Sequence, residues 1–90
     1  MKYVLFYEAA DDFMAKVPLH FEAHRALWKQ YGDAGTLLMI GPFTDAPAGS
    51  AMAIFTTREA ATSFAAVDPF VKHGIVARYD VREWNEALTR

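Results

Sequence analysis

Pro18-Leu19-His20-Phe21-Glu22-Ala23-His24-Arg25-Ala26-Leu27-Trp28-Lys29-Gln30-Tyr31 reads as an amphipathic helix. Set out at about 100° per residue, Phe21, Ala23, Leu27, Trp28, Tyr31 and Ala34 share one broad arc. Glu22, Arg25, Lys29 and Asp33 share the opposite one. His20 and His24 sit inside the apolar arc, one turn apart. A ring nitrogen placed there needs a partner. Pro18 suits a first helical turn, where its missing N–H costs nothing. Gly35 supplies the stop after about Asp33. The preceding residues, Ala9 to Val17, carry Asp11, Asp12 and Lys16 and read as an exposed connection.

Strands flank this helix. Tyr3 to Tyr7 is aromatic and β-branched, with Tyr3, Leu5 and Tyr7 on one side and Val4 and Phe6 on the other. Apolar on both sides, it is expected in the middle of a sheet. Thr36 to Ile40 is a second strand, ended or bent by Gly41-Pro42, and Gly41 is expected to mark a bulge. The turn-rich stretch Thr44 to Gly49 leads into a third strand, Ser50 to Phe55, returning antiparallel to the second. Thr56 with Glu59 three residues on has capping-box spacing and opens a short helix, Arg58 to Val67. Phe64, Ala60, Ala61 and Val67 share one of its faces. Asp68 before Pro69 ends it. One further turn precedes Gly74, and Ile75 to Trp84 is the last strand, with Ile75, Ala77, Tyr79 and Val81 as its apolar face. Glu83 to Arg90 is a polar tail.

The order is β-α-β-β-α-β, an α+β ferredoxin-like plan: a four-stranded antiparallel sheet with two helices on one face. Ninety residues make a single domain, 1–90. Two helices cannot cover both sides of a sheet whose first two strands are apolar on both sides. The uncovered face is expected to be a homodimer interface with two-fold symmetry. The alternative is a monomer with an exposed aromatic groove.

Composition narrows the function classes. Hydrophobic residues make up 53% and charged residues 22%, as in a folded soluble chain. The net charge of −2, with no basic run and no aromatic-basic RNA motif, argues against a nucleic-acid or polybasic membrane surface. There is no cysteine, hence no disulfide, no thiolate nucleophile and no cysteine-bound metal. That is compatible with a cytoplasmic setting. Met1 to Glu8 is too soon interrupted to read as a signal segment, and no apolar run approaches membrane-spanning length.

Three readings compete for His20 and His24: structural imidazoles with local partners, a general acid or base, or a metal pair at i,i+4 spacing. The metal reading needs a third ligand, and the pair has no Glu inside it in the metalloprotease arrangement. No cofactor motif is found. Asp68 is the natural carboxylate to orient an imidazole, although Asp-Pro alone is an ordinary helix-ending turn. His73 reads as an exposed turn residue. Arg78, Asp80 and Arg82 read as cross-strand charge pairs and Trp28 and Trp84 as packing residues.

The helix bearing His24, Ala34-Gly35-Thr36-Leu37-Leu38-Met39-Ile40-Gly41-Pro42-Phe43, Ala66-Val67-Asp68-Pro69-Phe70-Val71, and Tyr79-Asp80-Val81-Arg82-Glu83-Trp84 together resemble the YciI-like (YCII-related) proteins. The resemblance spans nearly the whole chain. It implies a dimeric α/β-barrel association and a His–Asp active-site pair, with the helix histidine at His24 rather than His20 and the carboxylate at Asp68.

Two functions are therefore expected in competition. One is a small enzyme with His24 as proton carrier and Asp68 as its orienting carboxylate, performing proton transfer, elimination or isomerisation. Its ligand would be a small, partly apolar or aromatic molecule in a cleft formed by Tyr7, His20, Gly41, Phe43 and Phe70. The other is a non-catalytic ligand-binding or regulatory dimer that uses the same cleft.

Overall fold

The computed structural model describes residues 1–90. Its elements are β1 (Lys2–Ala9), α1 (Phe13–Asp33), β2 (Leu37–Pro42), β3 (Ala51–Phe55), α2 (Arg58–Val67), α3 (Pro69–Lys72) and β4 (Val76–Trp84). The sheet runs β2-β3-β1-β4, antiparallel throughout. This is the expected ferredoxin-like arrangement, with β1 in the interior and the helices on one face. No helix is long and apolar enough to cross a membrane.

α1 starts earlier than the proline suggested. The connection is only residues 10–12, and Pro18 lies inside the helix rather than at its first turn. Met14, Ala15 and Lys16 are good helix formers, and an Asp12–Lys16 ion pair of 3.2 Å spans the first turn. The carbonyl that Pro18 leaves without a helical donor is that of Met14, in a solvent-exposed turn, so the proline is tolerated there. Gly35, at φ +83°, ends the helix as expected.

The N-cap of α2 is Thr57, not Thr56. Its hydroxyl accepts from Ala60 N–H at 3.1 Å. Thr56 is still engaged in the sheet, donating to Thr36 O at 2.9 Å, and this moves the cap by one residue. Ala61, Phe64 and Ala65 are the buried face of α2, and Val67 is exposed.

Two bulges decide which side chains face the helices. The second strand's irregularity falls between Leu37 and Met39, not at Gly41, which pairs regularly with Met52. Against β4, Ala9 pairs with Val76 and Glu8 with Arg78. Ala77 is therefore the extra residue, and Val76 joins Tyr79 and Val81 on the helix side. The predicted face of Ile75, Ala77, Tyr79 and Val81 is corrected accordingly. Glu8 and Arg78 form the expected cross-strand pair at 2.8 Å.

Leu5, Phe55 and Phe64 are the large apolar side chains sealed in the core. Phe64 sits edge-on to Tyr31 at 5.2 Å and tilted against Phe55 at 5.4 Å. The opposite side of the sheet carries no helix. Strand alternation places Val4, Phe6, Met52 and Ile54 there, and Phe6 is 40% exposed.

The polar tail is tied to the start of the chain. Glu86 accepts from the terminal ammonium at 2.6 Å and from Lys2 Nζ at 2.7 Å. The hydrogen bond from Lys2, followed by that from the terminus, pulls its carboxyl down to about 2. A carboxylate depressed on folding stabilises the fold above its unfolded value of 4.5 and loses that contribution as pH falls through about 2. Glu86→Gln is therefore expected to be less stable than wild type at neutral pH, with the difference closing between those two values. Urea melts across that window check it. A gap that persists below pH 2 would show that the charge is not responsible.

Candidate functional site

Asp68 is where two helices meet. Its φ of −64° and ψ of 123° are the extended backbone that a following proline demands. That break ends α2, lets Pro69 open α3, and turns the carboxylate inward as the cap of the new helix. One carboxylate oxygen, Oδ1, accepts from Phe70 N–H at 3.0 Å. The same Oδ1 lies 2.8 Å from His24 Nδ1. The other, Oδ2, accepts from the Tyr7 hydroxyl at 2.6 Å. A fully buried carboxylate thus has three partners from three elements, the condition under which such a group is tolerated away from water.

The network assigns the imidazole tautomer. Asp68 accepts from its other two partners, so Nδ1 carries the hydrogen toward it, and in the neutral ring the lone pair is on Nε2. Nε2 has no protein partner, yet no buried side-chain nitrogen or oxygen lacks one, so this atom is reachable from outside. Burial, reinforced by the Asp68 charge, pushes the Tyr7 phenol well above its ordinary value. Tyr7 therefore stays a donor to Asp68 at any ordinary pH.

His24 forms part of the wall of a cavity of about 340 Å³ between α1 and the sheet. That is at the small end of the range for ligand sites. Phe13, Val17, Phe21 and Trp28 of α1 line it together with Leu5 and Ile40 of the sheet. Ile75 and Val76, where β4 begins, and Gly49 complete it. No Lys, Arg, Asp or Glu side chain is in the lining. Such a space suits an uncharged molecule that presents one acidic or hydrogen-bonding group to Nε2.

The residues expected at the site divide. His24, Tyr7, Gly41 and Phe70 line the cavity, and Asp68 stands directly behind His24. Tyr7 contributes its ring, because its hydroxyl is held by Asp68. Phe43 is 41% exposed and lies outside the lining. His20 is outside as well: its ring stacks on His73 at 3.9 Å, so the two histidines of the first helix take different partners. Phe13 and Val17 were missed. Phe13, Val17, Phe21, His24 and Trp28 recur at spacings of three and four, and that run continues through Pro18. Giving the period precedence over the proline would have found them.

No curated protein matches the sequence at a significant level. Among solved structures, the chain is similar to the 5-chloro-2-hydroxyhydroquinone dehydrochlorinase of Burkholderia phenoliruptrix AC1100, solved in complex with 2,5-dihydroxybenzoquinone. The TM-score is 0.75 at 20% identity, covering 97% of this chain and 96% of that one. At that identity the likeness speaks for the fold. Residues 1–85 match the YCII-related domain, which takes in every strand and helix and both members of the His24–Asp68 pair, and the chain therefore belongs to the YCII-related family.

Proposed function

We propose that this protein is an acid–base enzyme acting on a small, uncharged, aromatic or partly apolar molecule, by proton transfer, elimination or isomerisation. One observation carries the reading: His24 is oriented through Nδ1 by a sealed carboxylate at 2.8 Å, keeps Nε2 without a protein partner, and lines a ligand-sized apolar cavity. In the proposed step Nε2 takes a proton from the bound molecule, and Asp68 steadies the imidazolium that results. The proton then returns to another position of the substrate, or leaves to water after a leaving group departs with its electron pair. The similar dehydrochlorinase, whose name describes loss of chloride from a hydroxylated ring, is compatible with this class.

The test uses hydroquinones, hydroxyquinones and a chlorinated hydroxyhydroquinone as probes. Binding is followed by thermal shift, turnover by ultraviolet absorbance and chloride release. His24→Ala is expected to keep the fold and lower turnover by about 100-fold or more. Binding by wild type without turnover of any probe would favour the non-catalytic binder instead.

We also propose that two copies pair through the bare side of the sheet. Phe6, with Met52 partly open beside it, offers an apolar patch to a two-fold partner. Phe6→Glu places two carboxylates at such an interface and is expected to give monomers by light scattering at concentrations where wild type is dimeric. A monomeric wild type would overturn this assembly.

A further inference from the structure

Phe70 meets the His24–Asp68 pair twice. Its N–H donates to the oxygen of Asp68 that faces His24. Its ring lies flat on the imidazole, with centroids 3.8 Å apart and planes 7° from parallel. The other aromatic neighbours of His24 meet it differently: Phe21 is tilted at 6.4 Å and Phe64 edge-on at 6.3 Å.

Neutral aromatic rings stack flat when they are offset, so the geometry by itself needs no charge. A cation over the negative face of a benzene ring is attracted to it. A flat stack already available to the neutral ring therefore gains a further attraction once His24 has taken up a proton. We propose that Phe70 is a positioning residue that acts through His24: its ring face stabilises the imidazolium, while Asp68 stabilises it in the ring plane. This rests on the acid–base reading of His24.

The opposing effect is burial. An apolar neighbour also keeps water from the ring, which disfavours the charge. The two effects separate by chemistry. Leucine at position 70 keeps apolar cover and removes the π face. The charged and titratable groups around His24 are few. Asp68 faces it from the junction of α2 and α3, and the Tyr7 hydroxyl of β1 lies behind Asp68. His20 on the same helix and His73 after α3 are stacked on each other. No lysine or arginine lines the cavity.

The experiment follows the His24 ring nitrogens by ¹⁵N NMR against pH in wild type, Phe70→Leu, Phe70→Trp and Phe70→pentafluorophenylalanine. The last keeps the shape and reverses the ring quadrupole, so it carries the test if leucine disturbs the fold. The midpoint of His24 protonation is expected to fall by about half to one pH unit in Phe70→Leu. It should fall in the pentafluoro protein too, and return to the wild-type position or above in Phe70→Trp. A midpoint unmoved by the pentafluoro ring, or a drop with tryptophan as large as with leucine, would overturn the proposal. The His24→Ala turnover assay separates the two claims. A moved midpoint with turnover intact in His24→Ala leaves the stack standing and removes the acid–base reading. An unmoved midpoint with turnover lost removes the stack alone.

Discussion

Asp68→Ala is expected to cost about 3 kcal/mol or more of stability. It strands three donors at once: the Tyr7 hydroxyl, His24 Nδ1–H and Phe70 N–H. It also removes the cap of α3. Asp68→Asn separates structure from charge. Its amide oxygen can still accept from His24 and Phe70, and its NH₂ can turn to the oxygen of Tyr7, so the loss should be only about 1 kcal/mol. What the amide cannot supply is negative charge beside an imidazolium. On any substrate that wild type converts, Asp68→Asn is therefore expected to lose about 100-fold or more in turnover. Urea unfolding and steady-state rates on both variants check this. An Asn variant that folds and turns over normally would reduce Asp68 to a helix cap.

The second large effect is expected at Phe64. This ring is completely buried and touches the core on one side and the site on the other, packing against Tyr31, Phe55 and His24. Phe64→Ala should cost about 3–5 kcal/mol, because the rigid sheet beneath it cannot collapse into the vacated space. In a domain of this size that lowers Tm by more than about 10 °C. The urea midpoint should fall with its slope unchanged. A loss of no more than about 0.5 kcal/mol, the range of a surface substitution, would mean that the helix repacks around the gap.

Much of this architecture is local in origin. Glycine and proline punctuate the chain at Gly35, Gly41-Pro42 and Pro69, and the segments around them read either as short apolar, β-branched or aromatic runs or as helical patterns. Element order follows from that alone. His20, His24 and Asp68 stand out as candidates in the sequence, but the apolar arc holds both histidines alike, and only the resemblance to the YCII-related proteins pointed to His24 with Asp68. The misreadings share a different cause. The start of α1 differs from the expectation because Pro18 by itself points to a first turn, whereas an exposed turn tolerates it at an interior position. The face of β4 was misread because the bulge at Ala77 is a property of pairing with β1. His20 and Phe43 were placed in the cleft by proximity in sequence. The direction each ring takes depends on elements far along the chain, His73 in the case of His20.

Residue order was enough to settle the fold class and the interior place of β1, since these depend on periodicity and punctuation within short segments, while the choice of His24 over His20 came from the resemblance to the YCII-related proteins. Folding decided the rest. His24 and Asp68 are 44 positions apart, and they meet only because both helices pack on one face of a single sheet. That packing also set Tyr7 behind the carboxylate and Phe70 against the imidazole, contacts between separate elements that no local pattern encodes.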